Sequence, residues 1–290
     1  MMKYKFIPIQ NIEVFYREAG ERKNPTIVLL HGYPSSSHMF REVMPILAEK
    51  YHVIAPDYPG FGYTEAPNMD EFEYSFDNLA SVVDEWLQAL EVDRYFLVVQ
   101  DYGAPIGFRI ASTHPEKVQG LIIQNGNAYT DGLTDAWASI RDYWRDKTTE
   151  NAAVLRQLCT PDFIKHMYIN GVCETKKLSP DAWTLDSSFL SDETRVKIQI
   201  ELFYDYHSNV EKYSQWHEYF KKHQPPALVI WGINDMFFSQ KGAECYQNDL
   251  EDIEYNFYDT GHFALEEYGA DMSAKILRFA DRVTQANLAD

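Results

Sequence analysis

Phe96-Leu97-Val98-Val99-Gln100-Asp101-Tyr102-Gly103-Ala104-Pro105-Ile106-Gly107 is the stretch that decides the fold. It opens as an unbroken apolar run, Phe96 to Val99, as expected of a strand buried on both faces. The run breaks at Gln100-Asp101-Tyr102-Gly103. It resumes from Ala104 to Ala111 with apolar residues at helical spacing and Pro105 near the helix start, where proline is tolerated. A strand, a sharp turn and a helix in immediate succession place one residue, Asp101, at the tip.

On either side of this unit the same rhythm repeats. Tyr4–Pro8 and Ile12–Arg17 alternate as a hairpin. Thr26–Leu30 is a buried strand that runs into His31-Gly32-Tyr33-Pro34, and three serines at 35–37 signal a helix over His38–Lys50. His52–Ala55 is a strand ending in the Gly/Pro-rich loop 56–63. A helix over Tyr74–Leu90 carries Leu79, Val82, Val83, Trp86, Leu87 and Leu90 on one face. Val118–Gln124 is the strand after the central unit. Strands alternating with helices imply a parallel sheet covered on both faces.

The rhythm stops after Gln124. Residues 129–221 carry helical patterns without buried strands, with pieces expected at Asp135–Asp146, Thr149–Gly171, Pro180–Leu190 and Asp192–His207. Strands return at Ala227–Trp231 and Ile253–Tyr258, and a closing helix runs from Phe263 to Thr284. The expected organisation is a core of residues 1–128 and 222–290 with an all-helical cap, 129–221, over the strand C-termini, where such sheets bind ligands.

The composition narrows the partners. The 290 residues are 45% hydrophobic and 15% aromatic, ample for a large core. Twenty tyrosines and six tryptophans exceed what a core needs, since each brings a polar atom that wants a partner, so some should line a pocket. A net charge of −18 argues against nucleic acid and anionic membrane surfaces. Cys159, Cys173 and Cys245 have neither metal-ligand spacing nor an even count, and read as free thiols in the cytoplasm. No signal peptide and no run of about 18 apolar residues is visible, so no membrane span is expected. No cofactor or metal is called for. Exposed aromatics in the cap would support a homodimer.

Three polar residues follow three separate strands at their C-terminal ends: Asp101 after the central strand, Asp235 after Ala227–Trp231, and His262 after Ile253–Tyr258. Taken singly, Asp101 fits a helix N-cap, Asp235 a turn and His262 a loop histidine. Together they make chemical sense. A histidine can activate water, and a carboxylate can fix its tautomer and stabilise the imidazolium.

The runs HGYPSSSHMF (31–40), APDYPGFGYTEAP (55–67), VVQDYGAPIG (98–107), WGINDMFF (231–238) and DTGHFALEE (259–267) resemble the epoxide hydrolase and haloalkane dehalogenase branch of the α/β-hydrolases. The resemblance covers nearly all of the core. It implies an α/β-hydrolase fold, with a mostly parallel eight-stranded sheet, helices on both faces and a helical lid. It implies Asp101 as nucleophile on the elbow, Asp235 as acid and His262 as base, in the family's chain order. The backbone N–H groups of Tyr33 and Tyr102 fall where the family builds its oxyanion hole. No G-x-S-x-G pentapeptide occurs, so a serine nucleophile is not expected. The implied route is attack of Asp101 on an sp³ carbon of a small apolar substrate, then hydrolysis of the alkyl-enzyme ester by water activated at His262.

The leaving group separates the two chemistries. A dehalogenase of this branch cradles halide with an indole N–H beside the nucleophile and a second donor, an asparagine where it follows His-Gly. This chain has Tyr102 and Tyr33 at those places, leaving Trp137, Trp144 or Trp216 as substitutes. An epoxide hydrolase instead uses two lid tyrosines to donate to the departing oxygen. Tyr206, in Tyr206-His207-Ser208-Asn209, and Tyr143, in Asp142-Tyr143-Trp144, resemble that pair, with Tyr129, Tyr168 and Tyr204 as competitors. Asn125 and Asn127 either face the pocket or cap the strand end around Gly126. The resemblance favours epoxide hydrolysis, with haloalkane dehalogenation as the alternative. A small-molecule receptor on the same fold is a third reading, which the complete set of Asp101, Asp235 and His262 disfavours.

Overall fold

The computed structural model describes residues 1–289. Eight strands, β1 (Lys3–Ile9), β2 (Ile12–Ala19), β3 (Thr26–Leu30), β4 (His52–Pro56), β5 (Tyr95–Gln100), β6 (Val118–Gln124), β7 (Ala227–Gly232) and β8 (Ile253–Tyr258), form one sheet in the order β1-β2-β4-β3-β5-β6-β7-β8. β2 pairs antiparallel with β1 and β4. From β4 to β8 every pairing is parallel. The C-terminal ends of β3, β5, β6, β7 and β8 therefore lie side by side on one edge.

Helices α1 (Val43–Leu47), α2 (Phe76–Ala89), α3 (Gly103–Thr113), α4 (Ala138–Arg145), α5 (Thr149–Leu155), α6 (Pro161–Ile169), α7 (Pro180–Phe189), α8 (Glu193–His223), α9 (Gln240–Glu244) and α10 (Ala264–Ala289) complete the chain. Every residue of β3, β4, β5 and β7 is buried, the pattern of strands covered on both faces. The helix α3 lies close against them because small residues face the sheet. A Cβ at Gly103 would collide with the Leu30 carbonyl, and one at Gly107 would meet the Val99 side chain. Among the described residues no helix is long and apolar enough to cross a membrane.

The helices between β6 and β7 differ in detail from the sequence expectation. The stretch expected as one helix over 149–171 breaks at Thr160-Pro161 into α5, a 3-10 turn over Arg156–Cys159 and α6. Pro161 has no N–H for a helix interior and restricts the residue before it, so it starts a new helix capped by Thr160. The helix expected to stop at His207 runs on to His223 as the 31-residue α8. It has no internal Gly or Pro, and Tyr213, Trp216, Tyr219 and Phe220 keep its inner face buried. It ends where Gln224 turns left-handed before Pro225-Pro226, with Lys221, Lys222 and His223 matching the helix dipole. The helix expected over 38–50 is a 3-10 turn, Ser37–Phe40, followed by α1.

α8 is tied down on the core at two places. The Asp205 carboxylate accepts the otherwise orphaned N–H of Phe76 at the start of α2 (2.7 Å). Arg109, on α3, donates to Asn209 (2.6 Å) and Ser208 (3.1 Å) of α8 and to Asp77 of α2 (2.6 Å). One guanidinium thus joins the helix that follows Asp101 to the long helix above it.

Candidate active site

Asp101 sits between β5 and α3 with φ of 47°, in the left-handed region that non-glycine residues seldom occupy. The turn holds because its neighbours fix it from both sides. Its N–H donates to the Asn125 carbonyl, and its carbonyl accepts from Ala104. Gly32 lets the loop after β3 pass directly over it, since a Cβ there would strike the Asp101 side chain. That close approach brings the Tyr33 N–H to 2.7 Å from Asp101 Oδ1.

Asp101 is 6% exposed. Burial pushes its carboxyl up to about 6, while the charge of His262 and the N–H groups of Tyr33 and Tyr102 pull the other way. At neutral pH the group is therefore mostly ionised. Oδ1 is held by the backbone, and Oδ2 faces His262 Nε2 at 3.8 Å, too far for a direct hydrogen bond.

His262 Nδ1 lies 2.8 Å from Asp235 Oδ2. A carboxylate only accepts, so Nδ1 carries the proton and Nε2 faces Asp101. Burial works against charging this imidazole, but the Asp235 and Asp101 carboxylates outweigh it and raise its pKa. Asp235 is itself fully engaged. Oδ1 accepts from the Phe237 N–H (2.8 Å), and Oδ2 accepts from His262 and from the Asn125 amide (2.8 Å).

Two residues complete this arrangement that sequence reading did not assign to it. Asn125, at φ 43°, pins the ends of β6 and β7 together through Gly232 and also holds Asp235. Of the two readings for Asn125, it performs the strand-end role and reaches the acid as well. Asn127 bonds Tyr129 O and Tyr213 OH instead. The second residue is Gln100. Its amide lies 2.9 Å from His262 Nε2, and its Oε1 is buried with no partner among the described residues. Turning the amide over sets Oε1 opposite Nε2, which satisfies both groups once His262 is protonated.

The cavity beside Asp101 is bounded by Tyr33 and Tyr102 of the core, by Phe237, and by apolar side chains of the helices above, chiefly Trp137, Ile140, Phe163, Met167 and Phe203. A water-sized sphere has about 20 Å³ for its centre, room for about one water. Asp101 is the only ionisable carboxylate or cation in this lining. A larger open groove around Asp77, His114 and Lys212 contains none of these groups.

The structure thus brings together Asp101, Asp235, His262 and the N–H groups of Tyr33 and Tyr102. Tyr143 and Tyr206 do not border the cavity. Tyr143 packs on Tyr204. Tyr206 is fully buried against Trp137 and Phe76, and its O–H lies near Tyr213 without reaching hydrogen-bond geometry. Tyr129 and Tyr168 donate to Asp249 and Asp186 (2.6 Å each). Trp137 lines the cavity, but its N–H donates to Phe237 O (3.0 Å), and that of Trp144 to Phe203 O (2.7 Å). Trp216 packs against Phe108, away from the cavity. His31 is a packed neutral imidazole, stacked on Tyr58 at 4.1 Å, with burial lowering its pKa to about 3.

Comparison with known proteins agrees with this fold. The family described as alpha/beta hydrolase fold matches residues 25–268. An uncharacterised hydrolase of Saccharomyces cerevisiae is 39% identical over 280 residues, covering 95% of this chain and 96% of the relative. A haloalkane dehalogenase of Bradyrhizobium diazoefficiens is 34% identical over 114 residues, 39% of this chain and 36% of that protein. Among solved structures, haloalkane dehalogenase DbeA from Bradyrhizobium elkani superposes with a TM-score of 0.82 at 21% identity, covering 99% of this chain and 100% of that one. The epoxide hydrolase CorEH superposes with a TM-score of 0.80 at 20% identity, covering 98% and 100%. These two structural likenesses speak to the fold. With its matched core, its strand order and a relative alike over almost its whole length, the chain belongs to the α/β-hydrolase family.

Proposed function

We propose that this hydrolase works through Asp101 as nucleophile and opens small, neutral epoxides to diols. The observation that carries the reading is the division of labour on Asp101. Oδ1 already lies against the Tyr33 N–H at 2.7 Å, and Oδ2 is left without a hydrogen bond. Attack by Oδ2 on a ring carbon would form an alkyl ester whose carbonyl oxygen, Oδ1, stays on the Tyr33 N–H. When water then adds to Cγ, charge develops on that same oxygen, and the Tyr33 N–H stabilises it without rearranging. His262 Nε2 is placed to take the proton of that water, with Asp235 supporting the imidazolium. A carboxylate needs no base for its own attack, which fits the 3.8 Å gap to His262.

An epoxide is favoured over a haloalkane by the donors. The places beside the nucleophile and after His31-Gly32 hold tyrosines, and the Trp137 N–H is already engaged by Phe237 O. The lining offers Asp101 no cation, so a substrate carboxylate would meet an uncompensated like charge in a desolvated site. The cavity has room for about one water, so even a small epoxide enters only when the helices above part. The three unpaired cysteines suit a reducing cytoplasm.

A side-by-side assay of the purified protein tests this. Propylene oxide and styrene oxide, 1-bromobutane, chloroacetate and p-nitrophenyl acetate would be compared. Turnover is expected on at least one epoxide and none on chloroacetate. Turnover confined to the bromoalkane or to the ester would overturn the epoxide reading.

A further inference from the structure

Opening an epoxide leaves an alkoxide, which must gain a proton as the ring carbon–oxygen bond breaks. Among the cavity-lining side chains only two carry a hydroxyl, Tyr33 and Tyr102. Tyr33 OH donates to the Leu158 carbonyl (3.0 Å) and approaches Cys159 Sγ (3.5 Å). Tyr102 is 2% exposed, and its hydroxyl is buried with no hydrogen-bond partner among the described residues. Leaving a buried phenol unpaired is costly, and such an orphan on a residue that lines the same cavity as Asp101 calls for a partner that arrives with the substrate. The Tyr102 ring packs edge-on to Phe76 at 4.8 Å and beside Tyr206 at 5.9 Å.

We infer that the Tyr102 phenol is the acid that protonates the departing oxygen, a role separate from its backbone N–H. This rests on the epoxide reading above. The step balances. Asp101 Oδ2 forms a bond to the ring carbon, the ring C–O bond breaks with its electron pair on oxygen, and the Tyr102 proton moves to that oxygen. The products are an ester on Asp101, an alcohol and a phenolate. In the second step His262 takes a proton from water, the hydroxide releases the diol from Cγ, and the imidazolium proton returns to the phenolate. The net change is epoxide plus water to diol.

The electrostatics favour this order. In the free protein, burial first and the Asp101 charge second push the Tyr102 phenol well above its ordinary value, so it holds its proton. Esterification removes the Asp101 charge at the moment the alkoxide forms. The phenol becomes a stronger acid when a base appears, and the step moves one negative charge from Asp101 to the phenolate without adding another to the buried site. Tyr206, the sequence-based candidate for this donor, is separated from the cavity by its packing against Trp137.

The test uses single-turnover ester formation in the full-length His262→Gln protein, followed by intact mass after rapid quenching. The parent variant, the same variant with Tyr102→Phe, and the same with Tyr206→Phe would each be exposed to propylene oxide and to 1-bromobutane. Bromide leaves without a proton. Tyr102→Phe is expected to slow epoxide alkylation by about 10²–10³-fold and bromoalkane alkylation at least tenfold less than that. Tyr206→Phe is expected to stay within about threefold of the parent on both. Equal losses of Tyr102→Phe on both substrates, no loss on the epoxide, or the large loss falling on Tyr206→Phe would each overturn the assignment while leaving the epoxide reading standing. A parent that forms no epoxide adduct would instead remove that reading, and this inference with it.

Discussion

The Asn125 side-chain amide donates to Asp235 Oδ2 at 2.8 Å, on the same oxygen that receives His262 Nδ1 at 2.8 Å. Asn125 follows β6, Asp235 follows β7 and His262 follows β8, so one carboxylate oxygen joins three neighbouring strand ends. Asp235 is thereby held at a fixed angle to the imidazole even though it lies on a loop.

Asn125→Ala removes that anchor and one charge-assisted hydrogen bond, a loss of about 1.5–3 kcal/mol. If the loss falls on ester hydrolysis, the second step slows about 10–100-fold while alkylation of Asp101 changes little. Single-turnover kinetics that separate the steps would show this as accumulated alkyl-enzyme. A uniform loss in both steps would place Asn125 in general stability instead.

Gln100 touches His262 on the opposite nitrogen, Nε2. Replacing it with methionine keeps the length and removes the polar contact. If Gln100 Oε1 accepts from the imidazolium, Gln100→Met lowers the His262 pKa, and the acid limb of ester hydrolysis moves to lower pH. Movement to higher pH would show that the amide N–H donates to the neutral ring.

Asp101 must be ionised to attack. Its folded pKa of about 6 sets an alkylation rate that rises with pH through about 6 and then levels. In His262→Gln the nearby positive charge that holds this value down is gone, so the same limb moves to higher pH. Adduct formation measured by quenched-flow mass spectrometry between pH 5 and 9 checks both positions.

The same burial has a stability consequence. The folded pKa of Asp101 lies above its ordinary value of 3.8, so the folded state favours the neutral acid, and stability falls as pH rises from about 4 through about 6. Asp101→Asn is therefore expected to stabilise the protein at pH 7.5 by about 1–3 kcal/mol, less the attraction to His262 that it forfeits. Thermal unfolding should show a higher Tm for the variant at pH 7.5, with the gain shrinking toward pH 5.

What was legible in the sequence follows from how local each signal is. The elbow could be read because a strand buried on both faces is a continuous apolar run, and Gln100-Asp101-Tyr102-Gly103 interrupts it. Asp235 could be placed because it closely follows such a run, and His262 because it closely follows the partly exposed strand Ile253–Tyr258. The partnership of Asn125 with Asp235 was not legible, because it joins residues 110 positions apart through strand adjacency that no local pattern records. The helices above the sheet were the least legible. Their faces are aromatic on several sides, so the spacing of Tyr143 and Tyr206 could not show which ring borders the cavity. The extent of α8 was underestimated for a related reason, since its charged residues continue around a buried aromatic stripe to His223.

The central claim is a covalent ester on Asp101, and trapping it is the most direct measurement. His262→Gln protein would be incubated with propylene oxide at pH 8, above the alkylation limb, and its intact mass and peptide map recorded. The expected result is a mass gain of one epoxide, located on the peptide carrying Asp101 and absent from the Asp101→Asn, His262→Gln double variant. An unmodified His262→Gln protein, under conditions where the parent enzyme turns the epoxide over, would contradict the account.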